Sequence, residues 1–211
     1  MIVAVTGTGT EVGKTWVAAA LARALAGRGS AVAARKPVQS FAPGDDDAGR
    51  TDAHVLGAAT GEPPTTVCPP HRWLAVPMAP PMAAAVLGRE PFTVAGLVAE
   101  LRLPPAGVTL VEGAGGLRSP LADDGDTLTL IDACSPALVV LVADAGLGTI
   151  NLVRLCHDAL GRHRSVVVLN RFDRRDDLHR RNLDWLTTRE GLDVVTDVEA
   201  LASRVLGSVS R

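Results

Sequence analysis

The amino-acid sequence predicts an α/β fold, a mostly parallel sheet flanked by helices on both faces. Three features predict it. Short apolar runs at 2–6, 108–111, 137–143 and 165–169 carry almost no polar alternation, the pattern of strands buried on both sides. Helix-forming segments alternate with these runs, and strands that alternate with helices assemble into parallel sheets. Glycine-rich turns connect several strands to the helices that follow them.

The elements follow in order. The first strand, 2–6, runs into a glycine loop at 7–13 and then a helix containing Ala18, Ala19, Ala20, Leu21, Ala22 and Leu25, all strong helix formers. Gly27 and Gly29 end that helix, and 31–38 reads as the second strand with Pro37 near its end. Residues 41–51, with Gly44, Asp45, Asp46, Asp47 and Gly49, read as a polar loop, and 52–59 as a short helix with Asp52 as its N-cap. The proline-rich stretch 61–82 reads as a long irregular excursion. Helices are expected over 82–87 and 93–101, and a strand at 108–111 leads into Glu112-Gly113-Ala114-Gly115-Gly116. A helix at 127–134, a strand at 137–143, a glycine-led helix at 148–160 and a strand at 165–169 come next. A helix at 176–189, a short strand at 192–195 and a last helix from Asp197 complete the chain.

A length of 211 residues suits a single α/β domain spanning 1–211, burying roughly 70% of its unfolded surface without disulfide staples. The formal net charge of -2 provides no basic field, so neither nucleic acid nor an anionic membrane is expected as the main partner. The Arg-rich stretch 171–181 is interleaved with Asp173, Asp176 and Asp177, the balanced pattern of a solvated helix face. The longest apolar run, 137–143, falls far short of the ~20 residues a membrane-spanning helix requires. Residues 1–5 lack the basic n-region and long apolar core of a signal peptide. Cys68, Cys134 and Cys156 are odd in number and widely spaced, which argues against a disulfide framework or a zinc site. A reducing, cytoplasmic location is the expectation.

Two of the 21 basic residues are lysine, Lys14 and Lys36. In a chain that uses arginine for nearly every surface cation, each lysine marks a place where a compact ammonium suits and a planar guanidinium does not. Lys14 lies in Thr6-Gly7-Thr8-Gly9-Thr10-Glu11-Val12-Gly13-Lys14-Thr15, between a predicted strand and a predicted helix. In that context the loop is a phosphate cradle: its backbone N–H groups and the helix N-terminus wrap the phosphates, Lys14 meets the β/γ charge, and the Thr15 hydroxyl ligates Mg²⁺. The spacing departs from the standard one, because Thr8 stands where the first glycine belongs and Gly7 lies one residue earlier.

Open parallel sheets bind ligands beyond the carboxyl ends of their strands. Lys36 and Glu112 sit at two such ends, and Asp52 opens the helix after the loop that leaves the second strand. Hard oxygen ligands suit a nucleotide's Mg²⁺, and a charged acid at the end of an apolar strand is costly unless it meets a cation. For Asp52, plain helix capping is an equal alternative on the residues alone. Lys14 already serves the terminal phosphates, so Lys36 points to a second anion, the acceptor or the γ-phosphate in transfer. The second glycine-led helix, beginning Gly148-Thr149-Ile150-Asn151, offers free N–H groups to an anion such as a carboxylate, with ordinary helix initiation as the alternative.

Together the phosphate loop with its extra residue, Lys36-Pro37-Val38 with Ser40, Asp52, Val111-Glu112-Gly113-Ala114-Gly115-Gly116 and Gly148-Thr149-Ile150-Asn151 resemble the dethiobiotin synthetase family. The resemblance covers most of 1–172 and implies a P-loop nucleotide-hydrolase-like fold. It also implies an activity: 7,8-diaminopelargonic acid, CO₂, ATP and Mg²⁺ giving dethiobiotin, ADP and phosphate. By the same resemblance Gly9, Thr10, Glu11, Val12, Gly13, Lys14, Thr15, Glu112 and Asn170 bind the nucleotide, and Thr15, Asp52 and Glu112 hold the metal. Lys36, Lys14 and Thr10 are the implied catalytic residues, with Lys36 on the carbamate and the transferring phosphoryl. Glu11, Ser40 and Gly115 line the substrate side, and Gly148 to Asn151 of one subunit receive the substrate carboxylate from the other, so a homodimer is implied. The family's later Pro-x-Leu-Gly-type segment near the base has no clear counterpart here, and a chain without tyrosine has no tyrosine contact to the carboxylate.

Other families share pieces of this pattern. Asn170-Arg171-Phe172-Asp173 is similar to the guanine motif of GTPases, with 41–51 as a switch loop. ParA- and MinD-like ATPases are similar in the phosphate loop, but Gly9 stands where their signature lysine would be. A cobyrinic-type amide ligase would need more length for a glutamine-hydrolysing domain.

Overall fold

A computed structural model of the chain describes residues 1–105 and 107–209. The elements in chain order are β1 (Ile2–Gly7), α1 (Lys14–Gly27), β2 (Val32–Arg35), β3 (Gln39–Ser40), α2 (Asp52–Thr60), α3 (Pro64–Val67), β4 (Trp73–Leu74), α4 (Pro80–Val86) and α5 (Val94–Glu100). They continue with β5 (Val108–Glu112), β6 (Pro120–Ala122), β7 (Gly125–Asp126), α6 (Thr127–Cys134), β8 (Leu138–Asp144), α7 (Thr149–Leu160), β9 (Ser165–Asn170), α8 (Asp177–Asp184), β10 (Val194–Val195) and α9 (Val198–Val209).

The central sheet has six strands in the order β10-β9-β8-β1-β5-β2, and every neighbouring pair is parallel. Its strands are apolar on both faces because both faces are covered. Val3 and Val5 of β1 pack toward α1, α2 and α9 through Val17, Leu21, Leu56 and Leu201. Ala4 between them faces the opposite layer, with Val153 of α7 and Ile131 of α6. The period-2 alternation of each strand thus feeds two cores. All the parallel strands end on one side, which brings the ends of β1, β2 and β5 together beneath the phosphate loop.

Several local expectations change. The second strand is shorter than 31–38: it ends at Arg35, since Pro37 has no N–H for a ladder. Gln39–Ser40 instead forms a separate two-strand ladder with Trp73–Leu74, inside the stretch read as irregular. That stretch also holds α3, a 3₁₀ turn at Pro70–Arg72 and the start of α4, in which prolines occupy first-turn positions where a missing N–H costs nothing. The small β6–β7 hairpin falls in a segment given no structure from sequence. The helix expected at 176–189 is α-helical only to Asp184 and continues as a π turn, Trp185–Arg189. Asp52 is the first residue of α2, not its cap; Thr51 holds the N-cap position. No helix among the described residues is long and apolar enough to cross a membrane.

Candidate active site

The phosphate loop leaves β1 and enters α1 through Gly13, whose φ of 92° lies in the left-handed region open to glycine. A side chain there would also strike the Asn170 amide, so glycine is required twice over. The Lys14 Nζ reaches back to the Gly9 carbonyl at 3.0 Å, arching over the loop. Gly116 from the turn after β5 packs so closely that a Cβ on it would meet the Gly9 Cα at 3.2 Å. The Glu112-Gly113-Ala114-Gly115-Gly116 run is therefore the back wall of the phosphate loop.

At the strand ends lies a buried electrostatic knot. The Lys36 Nζ is 2.7 Å from Asp52 Oδ2, 2.7 Å from Glu112 Oε1 and 2.9 Å from the Gly113 carbonyl, so all three ammonium protons have acceptors. Lys36 is 1% exposed and Glu112 0% exposed, which makes their mutual neutralisation obligatory. Thr15 Oγ1 stands 2.8 Å from both Asp52 Oδ1 and Glu112 Oε1. A hydroxyl has one proton, so it serves only one of these carboxylates at a time, and Glu112 Oε2 is fully buried with no hydrogen-bond partner. Converging, under-satisfied hard oxygens are what a divalent cation uses. Among the described residues no group of three or more acidic, His or Cys side chains could hold a metal by itself. Two carboxylates and a hydroxyl fit a Mg²⁺ that brings phosphate oxygens with it.

Proton affinities follow from this crowding. Burial pulls Lys36 down, but the Asp52 and Glu112 carboxylates outweigh it and hold the ammonium well above its ordinary value. Burial pushes Asp52 up, yet the Lys36 charge and its hydrogen bond win and lower it. For Glu112 burial prevails over Lys36, and its carboxyl is raised. Burial, then repulsion from Lys36, brings Lys14 down to about 8.

Thr10, Glu11, Gly13, Lys14, Thr15, Lys36, Ser40, Asp52 and Gly115 all line one cavity of about 810 Å³. Ser40 contributes a buried hydroxyl oxygen with no partner. Glu112 lies beneath the cavity, and Gly9 and Val12 build the loop that borders it. Asn170 donates to the Val12 carbonyl at 2.9 Å, bracing the phosphate loop. Asp173 Oδ1 accepts from the Arg175 N–H at 2.8 Å within its own turn, so of the two polar ends of the GTPase-like run one braces the phosphate loop and the other is bonded locally. Gly148, Thr149, Ile150 and Asn151 are not on this cavity. They open α7, held by Asn182, which donates to the carbonyls of Ala145 at 2.9 Å and Gly146 at 3.0 Å.

Sequence reasoning missed several contributors to the wall: Trp16, the Pro77–Pro80 segment, Ser119 with Pro120, and Arg171. Trp16 is 61% exposed at the mouth, one residue past Thr15, and an exposed tryptophan at the start of a helix was the available signal. Arg171 is left-handed at φ 56° and bridges the Glu11 carbonyl and Asp144 Oδ2, each at 2.9 Å.

Comparisons with known proteins bear on this site. The family model described as AAA domain matches residues 2–209. An ATP-dependent dethiobiotin synthetase from Anaeromyxobacter dehalogenans (strain 2CP-C) is 39% identical over 218 residues, covering 97% of this chain and 95% of that protein. The chain belongs to the dethiobiotin synthetase family. A second dethiobiotin synthetase, from Caulobacter sp. (strain K31), is 44% identical over 157 residues, covering 71% of this chain and 65% of that relative. In solved structures, chloroplast FtsY from Physcomitrella patens aligns with a TM-score of 0.54 at 15% identity, over 94% of this chain and 59% of that one. This likeness is one of fold, the P-loop α/β arrangement. The dethiobiotin synthetase match from A. dehalogenans takes in the phosphate loop, Lys36, Asp52 and Glu112 alike, since at most a few terminal residues lie outside it.

Proposed function

We propose that this chain makes dethiobiotin from 7,8-diaminopelargonic acid and CO₂, using ATP and releasing ADP and phosphate. The observation that carries it is the Lys36 knot: a buried ammonium shared by two carboxylates, beside a phosphate loop and at the wall of a cavity large enough for a substrate. The chemistry suits such a site. One substrate amine takes up CO₂ as a carbamate, whose oxygen attacks the γ-phosphorus as the bond to ADP breaks. The second amine then attacks the carbonyl carbon of the mixed anhydride, the ring closes as a urea, and phosphate leaves with the bonding electrons. A carbamate is already an anion, so positioning and cations suffice and no histidine or cysteine base is needed.

The roles of the residues follow. Lys14 meets the β/γ-phosphate charge and Lys36 steadies the carbamate and the transferring phosphoryl; Thr10 aids at the loop. Glu11, Ser40 and Gly115 border the diamine. Thr15, Asp52 and Glu112 would hold Mg²⁺, which when bound neutralises phosphate charge. Asn170 acts on the nucleotide at least through the loop it braces.

The substrate carboxylate is assigned to the start of α7 in a second copy of the chain. There Gly148 has no side-chain cap, the first helical N–H groups lack intrahelical partners, and the Thr149 hydroxyl is buried with no partner. Leu147 is 91%, Leu155 61% and Leu152 43% exposed around that start, an apolar surface suited to self-association. A homodimer with a shared site results. Three free cysteines accord with work in a reducing cytoplasm.

An assay with radiolabelled bicarbonate, Mg²⁺, a panel of nucleoside triphosphates and the diamine tests the reading. Stable label in a ureido product, dependent on the diamine, is expected. No incorporation with any nucleotide would overturn it, and hydrolysis of GTP indifferent to the diamine would favour the switch-like alternative.

A further inference from the structure

We infer that Gln39 is a positioning residue for the Asp52 carboxylate, taking over the capping of α2 so that Asp52 is free for the cation; this rests on the proposed role of Asp52 as a metal ligand. An acid in the first turn of a helix ordinarily turns back to the helix N–H groups. Asp52 does not: both its oxygens point away, Oδ1 to Thr15 and Oδ2 to Lys36. Nor does the N-cap residue Thr51 cap with its side chain.

Gln39 supplies what is missing from across the chain. It is 1% exposed in β3, and its Oε1 accepts the Ala53 N–H at 2.9 Å. Its Nε2 donates to Thr51 Oγ1 at 3.4 Å. The side-chain amide therefore grips the residue before Asp52 and the residue after it. The Thr51 hydroxyl that accepts from Gln39 is also hydrogen-bonded to His54 Nδ1 at 2.8 Å, which closes the line onto α2. His54 rests edge-on against Trp73, at 5.3 Å between ring centroids, and Trp73 belongs to the strand that pairs with Gln39. A line of contacts, buried at Gln39 and Thr51 and half-buried at His54 and Trp73, thus fixes the first turn of α2, and with it the direction of the Asp52 carboxylate. Outer partners of this kind orient a ligand without touching the metal.

The test is a titration of Mn²⁺ as a paramagnetic stand-in for Mg²⁺, in the presence of a non-hydrolysable ATP analogue, with the wild type, Gln39→Met, Thr51→Val and Asp52→Ala. Gln39→Met keeps length and volume but loses both hydrogen bonds, and should weaken Mn²⁺ about tenfold or more. Binding of the analogue without metal should be unchanged, and turnover should recover at high Mg²⁺, so that the apparent KM for Mg²⁺ rises while kcat is retained. Wild-type Mn²⁺ affinity in Gln39→Met, with Asp52→Ala weakened, overturns the inference and leaves the site reading standing. Unchanged affinity in Asp52→Ala overturns both. Should Gln39→Met fail to fold, Thr51→Val decides: a smaller loss of Mn²⁺ affinity supports the line of contacts, and no loss rejects it.

Discussion

The two ends of the proposed site differ in how far one chain completes them. At the Lys36 end the ion pairs close within the same chain: the ammonium lies 2.7 Å from both the Asp52 and the Glu112 carboxylate, and the Thr15 hydroxyl lies 2.8 Å from both. At the α7 end the helix start is held just as firmly by Asn182, yet it presents free N–H groups, an orphaned Thr149 hydroxyl and a 91% exposed leucine to the outside. The first end is preorganised by ion pairing within one chain, with one carboxylate charge left over for a cation, whereas the second is preorganised but open. A reaction needing an internal transfer centre and an external handle on its substrate would use such a pair, and each end fails differently when altered.

Breaking the closed end should do the most damage. Lys36→Ala leaves Glu112 and Asp52 facing one another, and removing one partner from a buried ion pair destabilises by about 3–5 kcal/mol. Turnover should fall by about 10²–10³ or more, the cost of losing a donor aimed at developing charge, while nucleotide affinity stays near wild type through Lys14. The stability loss carries a pH signature. Glu112 already has a raised carboxyl, and without Lys36 it rises further. A carboxyl raised in the folded state binds more protons there than when unfolded, so stability falls as pH climbs through the gap. Denaturant unfolding should therefore show the deficit of Lys36→Ala shrinking toward acid pH. A deficit independent of pH, or an equal loss of nucleotide and carbamate chemistry, would dissolve the distinction between the two lysines.

Much of the closed end was legible beforehand, for a physical reason. Phosphate and metal chemistry needs particular residue types at strand ends, and lysine is so rare here that Lys14 and Lys36 stood out. The parallel sheet was legible from strands apolar on both faces. What stayed hidden depends on chain reversal rather than local pattern. Gln39 falls just past the strand read at 31–38 and belongs to no element until Pro37 breaks the ladder and the chain pairs with Trp73. Pro77–Pro80 reaches the cavity only because the proline-rich excursion is ordered by that same ladder. Thr51 displaces Asp52 as the cap because Asp52 is drawn to a lysine 16 positions away in sequence, which no helix-capping preference encodes.

Altering the open end should be milder and selective for one substrate. Asn151→Ala should raise the KM of the diamine about tenfold, the order of one hydrogen bond to a charged group, and leave the nucleotide KM alone. Leu147→Glu places a charge on the exposed apolar surface. Sedimentation should then show a shift from dimer to monomer, with nucleotide binding intact and turnover lost. A Leu147→Glu monomer with full turnover would mean that one chain completes the site unaided.

The smallest effect belongs to Lys14, which sits between the two ends and should report ligand arrival through a proton. Burial and the neighbouring Lys36 lower it from 10.5 to about 8, so the free protein holds Lys14 partly neutral in mildly alkaline solution. A lowered lysine binds fewer protons folded than unfolded between those values, so its penalty on stability is present below about 8 and relieved above it. A polyphosphate placed against Lys14 favours the ammonium and pulls the proton back. Calorimetry of nucleotide binding at about pH 8.5, in buffers of different ionisation enthalpy, should show net proton uptake by the wild type relative to Lys14→Arg, whose guanidinium stays charged. The difference should vanish at about pH 6.5, where both side chains are already protonated. If wild type and Lys14→Arg exchange the same number of protons at both pH values, the Lys14 ammonium is not the group that meets the phosphates, and the division of labour between the two lysines loses its nucleotide half.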